Sequence, residues 1–191
     1  MSDLLLIIFS AAFVNNIVVL EIIGADPALS FLRKMDVAIG LCLTMLVLLP
    51  LVTVFTYLIN IWFIIPFHLE FLQLLIFIPT VLLITGCIKQ WGHLVNKTLH
   101  ARINIFLPFA GINTTVLGVI LLNQQLVYGL LKSLAFGLGS AAGFSIVLLI
   151  LTASSERIEV SDVPVPFRGI PVLLLTLALI SMAFMGFSGM G

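Results

Sequence analysis

Five polar or acidic side chains interrupt or border stretches that are otherwise apolar: Asn15, Asn16 and Glu21 in the first stretch, Asp26 just after it, and Asn113 in a later one. An amide in hydrocarbon must find hydrogen-bond partners, on a neighbouring helix or on a bound ligand. A single Asn reads as glue between helices. Three of them on two interrupted stretches make a candidate binding site. Glu21 ends its stretch, where a carboxylate can snorkel to the membrane surface. Asp26 precedes Pro27 and suits a turn. The same pair could instead hold a cation or proton, because intramembrane carboxylates often mark ion paths.

The other reactive residue types make no pattern. His68, His93 and His100 lie near helix ends without ligand-like spacing, and they read as interfacial residues. Cys42 and Cys87 sit inside apolar runs, form no CxxC, and read as small buried hydrophobes. The sequence has no phosphate loop, no Ser-His-Asp arrangement and no HExxH. No catalytic residue is assigned, and metal ligation stays open.

The elements that must position these residues are membrane spans. Hydrophobic residues make up 62% of the chain and charged residues 8%, against about 25% charged in an ordinary soluble domain. Such a chain has no water-facing shell, so its surface faces lipid. With 8 Lys+Arg against 8 Asp+Glu it carries no net charge, and nothing draws it to nucleic acid. A span needs roughly 20 apolar residues, and six stretches approach or reach that length. They are Leu4 to Ile23, Val37 to Ile59, Phe71 to Ile88, Ile103 to Leu122, Leu130 to Leu151, and Ile170 to Phe187. The first has Asp3 before it, no basic leader and no small-residue cleavage site, so it is expected to be retained as a helix. Pro50, Pro79 and Pro108 fall inside spans, which is acceptable only where neighbours satisfy the freed carbonyl, so the spans pack as a bundle.

Charge orients that bundle. Arg33, Lys34, Lys89, Lys97, Arg102, Arg157 and Arg168 fall on one side, and only Lys132 on the other. The positive-inside rule makes the first side cytoplasmic and points both termini outward. Helices one and four are alike: the first holds Asn15, Asn16, Gly24 and Pro27, the fourth Pro108, Gly111 and Asn113. Three helices separate their starts, so the halves, about 1–95 and 96–191 of a single membrane domain, have opposite orientation. Interrupted helices at corresponding places in inverted halves point to a functional centre near the midplane. Small residues at Gly137, Gly139, Ser140, Ala141, Ala142 and Gly143, and at Gly186, Gly189 and Gly191, are expected to let helices pack closely.

The chain resembles the Rnf and Nqr membrane subunits, and among them the A-type subunits of Rnf ion-translocating electron-transport complexes. The resemblance is carried by Val14-Asn15-Asn16, Phe106-Leu107-Pro108, Asn113 through Gly118, Asp162 through Gly169, and the ending Met182 through Phe187. It runs over essentially the whole chain, and the segment from Asp162 to Gly169 favours the A-type Rnf subunit over its E-type Nqr relative. It implies an all-α, polytopic fold of about six helices in two inverted three-helix halves, with helices one and four interrupted. It also implies a bacterial cytoplasmic (inner) membrane location and a hetero-oligomer with Rnf-type subunits B, C, D, E and G. The E-type subunit would lie closest and be inserted the opposite way. The complex would couple electron transfer between ferredoxin and NAD to sodium or proton movement, and this chain alone would not be an enzyme.

In the family, a [2Fe-2S] cluster lies between this chain's counterpart and its E-type partner, each bringing two cysteines. Here the residues depart from the pattern. The family's Gly-x-Cys-Pro segment reads Gly24-Ala25-Asp26-Pro27, and the second cysteine position, after Asn113, holds Thr114. Glu21 stands where the family tends to have a basic residue, and Lys89 where it tends to have an acidic one. Cys42 and Cys87 do not align with the missing ligands. Iron–sulfur clusters are held by thiolates, with imidazole the common substitute. A carboxylate at Asp26 could ligate iron at an altered potential, whereas the Thr114 hydroxyl is a poor ligand. Asn15, Asn16 and Asn113 would line the site, with Asp26 and Thr114 at the ligand positions. The alternative is an ion-conducting or assembly subunit that keeps the scaffold without the redox cluster. A stand-alone secondary transporter has only the inverted halves and broken helices in its favour.

Overall fold

Apolar runs that cannot leave backbone groups unpaired in lipid should become helices, and they do. The computed structural model describes residues 2–14, 16, 35–95, 103–126, 129–159, 162–164 and 167–186. Among the described residues all regular structure is helical. Helix α1 (Ser2–Phe9) continues into a π-helical turn, Ser10–Val14. Helix α2 (Met35–Ile59) likewise runs into a π turn, Asn60–Ile64. A 3-10 turn, Glu70–Leu72, leads into α3 (Gln73–Val95). Then come the short α4 (Leu107–Gly111), α5 (Thr114–Leu126), the long α6 (Leu130–Glu159) and α7 (Ile170–Met185).

Among the described residues, three stretches are long and apolar enough to cross a bilayer: Met35–Ile64, Glu70–Gln90 and Leu130–Ile158. Asp3–Val14 and Ile170–Met185 are shorter apolar helices. The fourth expected span is a broken one, made of α4 and α5.

Several boundaries move outward from those the apolar runs suggest. Helix α2 continues past Ile59 to Ile64 through its π turn, and α3 continues past Ile88 to Val95. Helix α6 continues past Leu151 to Glu159, through Ser154, Ser155, Glu156 and Arg157. Arg157 therefore sits in the last helical turn, and not in a loop. Polar residues end an apolar run without ending a helix, and here Glu156 has a tertiary reason to stay helical. Its Oε1 accepts the Met35 backbone N–H at 2.9 Å, satisfying an amide near the start of α2 that has no partner within its own helix.

Helices α2 and α6 form the antiparallel centre of the bundle. Cys42 Sγ donates to the Ser145 carbonyl at 3.7 Å, and Pro50 of α2 lies against Gly137 of α6. Met45, Leu48, Leu49 and Val52 of α2, with Phe144 and Val147 of α6, are buried in the core. Glycines set the spacing, as expected. A methyl group on Gly137 would lie 2.9 Å from the Pro50 Cα, and one on Gly139 2.6 Å from the Ile8 carbonyl oxygen. The outer helices α3 and α7 carry exposed Leu74, Leu75, Leu82, Leu83, Leu174, Leu175 and Leu179, a surface made for acyl chains.

Most hydroxyls in the core bond back to their own helix. Thr44, Thr56 and Thr85 donate to the carbonyls of Gly40, Val52 and Val81, at 2.8, 2.7 and 2.8 Å. Ser145 and Thr152 donate to Ala141 and Leu148, both at 2.8 Å. In a low-dielectric interior this removes the cost of burying the hydroxyl without requiring a partner helix. Between α6 and α7, Arg168 Nε donates to the Val163 carbonyl at 2.8 Å, and its guanidinium lies 3.9 Å from Asp162. Gly169, with φ of 85°, then starts α7 from a backbone region that disfavours side chains.

Candidate functional site

The fourth helix is interrupted as expected, and the first leaves helical geometry within its described residues, which end at Asn16. The first changes from α-helix to π-helix at Ser10 and leaves helical geometry by Asn16. π turns within helices are rare and often accompany functional sites. Asn16 is 2% exposed. Its Nδ2 donates to the Ala12 carbonyl at 2.9 Å, so the side chain caps the last turn from within. The turn and its cap press on α6: a methyl on Gly143 would lie 2.7 Å from the Ala12 oxygen and 2.8 Å from Asn16 Nδ2. Only glycine allows that approach.

The second break falls between α4 and α5. Pro108 in the first turn of α4 needs no helical donor, and the helix stops at Gly111. Gly111 lies on Thr85 of α3, where a methyl would meet the Thr85 hydroxyl at 2.8 Å. Asn113 then restarts the chain as an N-cap. Its Oδ1 accepts the Thr115 backbone N–H at 2.8 Å, the usual reason Asn precedes a helix. Asn113 is 5% exposed, yet its Nδ2 has no hydrogen-bond partner among the described residues. The outer face of the break carries Phe109, Ile112 and Thr114, with Ile112 76% exposed.

Asn16 and Asn113 contact different elements: Asn16 rests on α6, and the α4–α5 break adjoins α2 and α3. Asn15, Glu21 and Asp26 lie outside the described residues, as do His100 and the Gly189 and Gly191 positions. Cys42 is buried in the α2–α6 interface and Cys87 is exposed on α3. No group of three or more His, Cys, Asp or Glu able to hold a metal occurs among the described residues.

Full-length similarity decides what kind of protein this architecture belongs to. A family model described as "Rnf-Nqr subunit, membrane protein" matches residues 4–191. The chain belongs to the Rnf-Nqr family. It is 37% identical over 190 residues to the A subunit of the ion-translocating oxidoreductase complex of Histophilus somni (strain 2336), covering 100% of this chain and 98% of the relative. The counterparts of the same name from Pectobacterium carotovorum (strain PC1) and Vibrio atlanticus are each 36% identical over 190 residues. They cover 100% of this chain and 98% and 99% of the relatives. It is thus a membrane subunit of an Rnf-type complex with electron- and ion-transport associations, as the resemblance implied.

Among the described residues, the position that the resemblance pairs with a cluster ligand fits a [2Fe-2S] cluster poorly. Thr114, at the second of the two positions, presents a neutral hydroxyl at the first turn of α5, where thiolate chemistry is needed. Cys42 donates its Sγ across the α2–α6 interface to Ser145, on a different helix pair from the break.

Residues that the sequence did not single out also shape the interior. Asn123 and Ser133 are fully buried, with Asn123 Oδ1 and Ser133 Oγ unpartnered among the described residues. Their signal in the sequence is weak, since each stands close to the end of an apolar run, where polar residues are ordinary.

Proposed function

We propose that this chain is the A-type membrane component of an Rnf-type complex that couples electron transfer between ferredoxin and NAD to sodium or proton movement. It sits in the bacterial cytoplasmic membrane with both termini outward, beside an E-type partner and with subunits B, C, D and G. The observation that carries this reading is the break at Asn113 together with its exposed flank. An interrupted backbone at membrane depth is tolerated only against protein or a water-filled cavity. Ile112, Phe109 and Thr114 put this break on the outside of the single chain. A neighbouring protein laid over that face gives the break the cover that lipid does not provide. Deleting this chain from its native membrane tests the assignment: ferredoxin-dependent NAD reduction disappears and returns with the wild-type chain. Activity that persists in its absence contradicts the assignment.

A second reading rests on Thr114. A hydroxyl where the family places a cysteine favours a subunit that keeps the scaffold and its ion path without a redox cluster. Iron quantitation and low-temperature EPR on this chain isolated with its E-type partner separate the two. A reduced [2Fe-2S] signal that disappears with Asp26→Ala supports redox function through unusual ligation. An intact, iron-free pair supports the scaffold.

A further inference from the structure

Two buried oxygen atoms, Asn123 Oδ1 and Ser133 Oγ, lack a hydrogen-bond partner among the described residues, and the helix register sets both towards one turn of α2. The contacts between these helices fix an antiparallel register, with Cys42 opposite Ser145, and Pro50 and Thr53 opposite Gly137. Ser133 lies one turn before Gly137, so it faces the turn of α2 that follows Thr53, where Thr56 is fully buried. Asn123 reaches the same turn from α5, its Nδ2 donating to the Thr53 carbonyl at 3.4 Å. That carbonyl also lies 3.2 Å from Thr56 Oγ1, and Ser133 Oγ is not among its partners. The Ser133 backbone N–H bonds to Gly129 at 2.9 Å, but its hydroxyl does not follow Thr44, Thr56, Ser145 and Thr152 in bonding back to its own helix. Asn123 Oδ1 is an acceptor without a donor, and Ser133 Oγ can both donate and accept.

We propose that one ordered water is held here, donating to Asn123 Oδ1 and bonding Ser133 Oγ, and so joining α5 and α6 where they meet α2. A buried acceptor left unmade is destabilising, and polar sites between helices are where buried waters settle. The ligands are all neutral oxygens, no carboxylate stands among them, and Lys132 adjoins Ser133 in sequence. A cation has nothing there to balance its charge, which favours water.

The test uses the full chain in detergent–lipid micelles. Ser133→Ala and Asn123→Leu are melted singly and together. A bridging water predicts that each single variant lowers the melting temperature. It also predicts that the double variant falls no further than the worse single one, because both remove the same bridge. If Ser133→Ala melts at or above the wild-type temperature, the hydroxyl is dry and the proposal is overturned. Radiolytic hydroxyl labelling of the wild-type chain needs no variant. A bound water produces oxidation within the buried 52–56 and 119–123 segments, and protection of both segments overturns the proposal. A melting temperature that rises with sodium chloride over choline chloride, and loses that rise in Asn123→Leu, identifies a cation and likewise overturns it.

Discussion

Gly143 of α6 and Asn16 at the end of the first helix are in such close contact that a methyl on the glycine would come within 2.8 Å of the Asn16 amide nitrogen. The first helix break and the central helix are therefore fitted to one another at a single residue. Gly143→Ala should destabilise the chain by about 1–3 kcal/mol, the range for forcing a methyl into a packed core. Gly86→Ala on α3 is the control, since a methyl there meets nothing within 4 Å. It should be stabilising by up to about 1 kcal/mol, through helix propensity alone. Thermal unfolding of the two variants in the same detergent checks the contrast.

The cap on α5 makes a second prediction. Asn113→Ala removes the acceptor of the Thr115 N–H and should cost about 0.5–2 kcal/mol. Asn113→Ser keeps a capping oxygen and removes the unpartnered Nδ2, so it should melt above the alanine variant. The order of the two melting temperatures is the readout, and the reverse order would mean that a capping oxygen at this position does not hold the start of α5.

At the other end of the central pair, Glu156 holds the start of α2. Glu156→Ala should cost about 1 kcal/mol, from loss of a carboxylate at a helix N-terminus. Glu156→Gln should lose less, because its amide oxygen still accepts the Met35 N–H. Added salt should narrow the gap between wild type and Glu156→Gln, and hydrogen exchange at the start of α2 should quicken in the alanine variant.

Much of this was legible in the sequence. Apolar run length gives the helices, because lipid leaves the backbone no other way to pair its groups. Pro108, Gly111 and Asn113 mark the second break correctly, since each residue type has a local role: a first-turn proline, a close-contact glycine and an N-cap. The stripe through Gly137, Gly139 and Gly143 gives close packing for the same reason. What stayed hidden depends on register between distant segments. The α6 extension through Ser154, Ser155 and Glu156 reads as a loop by hydropathy, and its anchor is an amide of Met35, far away in sequence. The Asn123–Ser133 site is invisible until the α2–α6 pairing shows which turn of α2 both face.

The exposed side of the α4–α5 break makes a chemical prediction. Thr114→Cys in the isolated chain should react with a membrane-permeable maleimide, because the residue lies on the outer surface. In the assembled complex the same cysteine should be protected. Equal labelling in both states would mean that no neighbour covers this face.

The most direct test of the central claim is to isolate this chain, affinity-tagged, from its native membrane in mild detergent and identify its companions by mass spectrometry. An A-type chain arrives with subunits D, E and G of an Rnf-type complex, and the E-type partner cross-links to Thr114→Cys. A folded chain that comes out alone, with its α4–α5 break uncovered, would contradict the account.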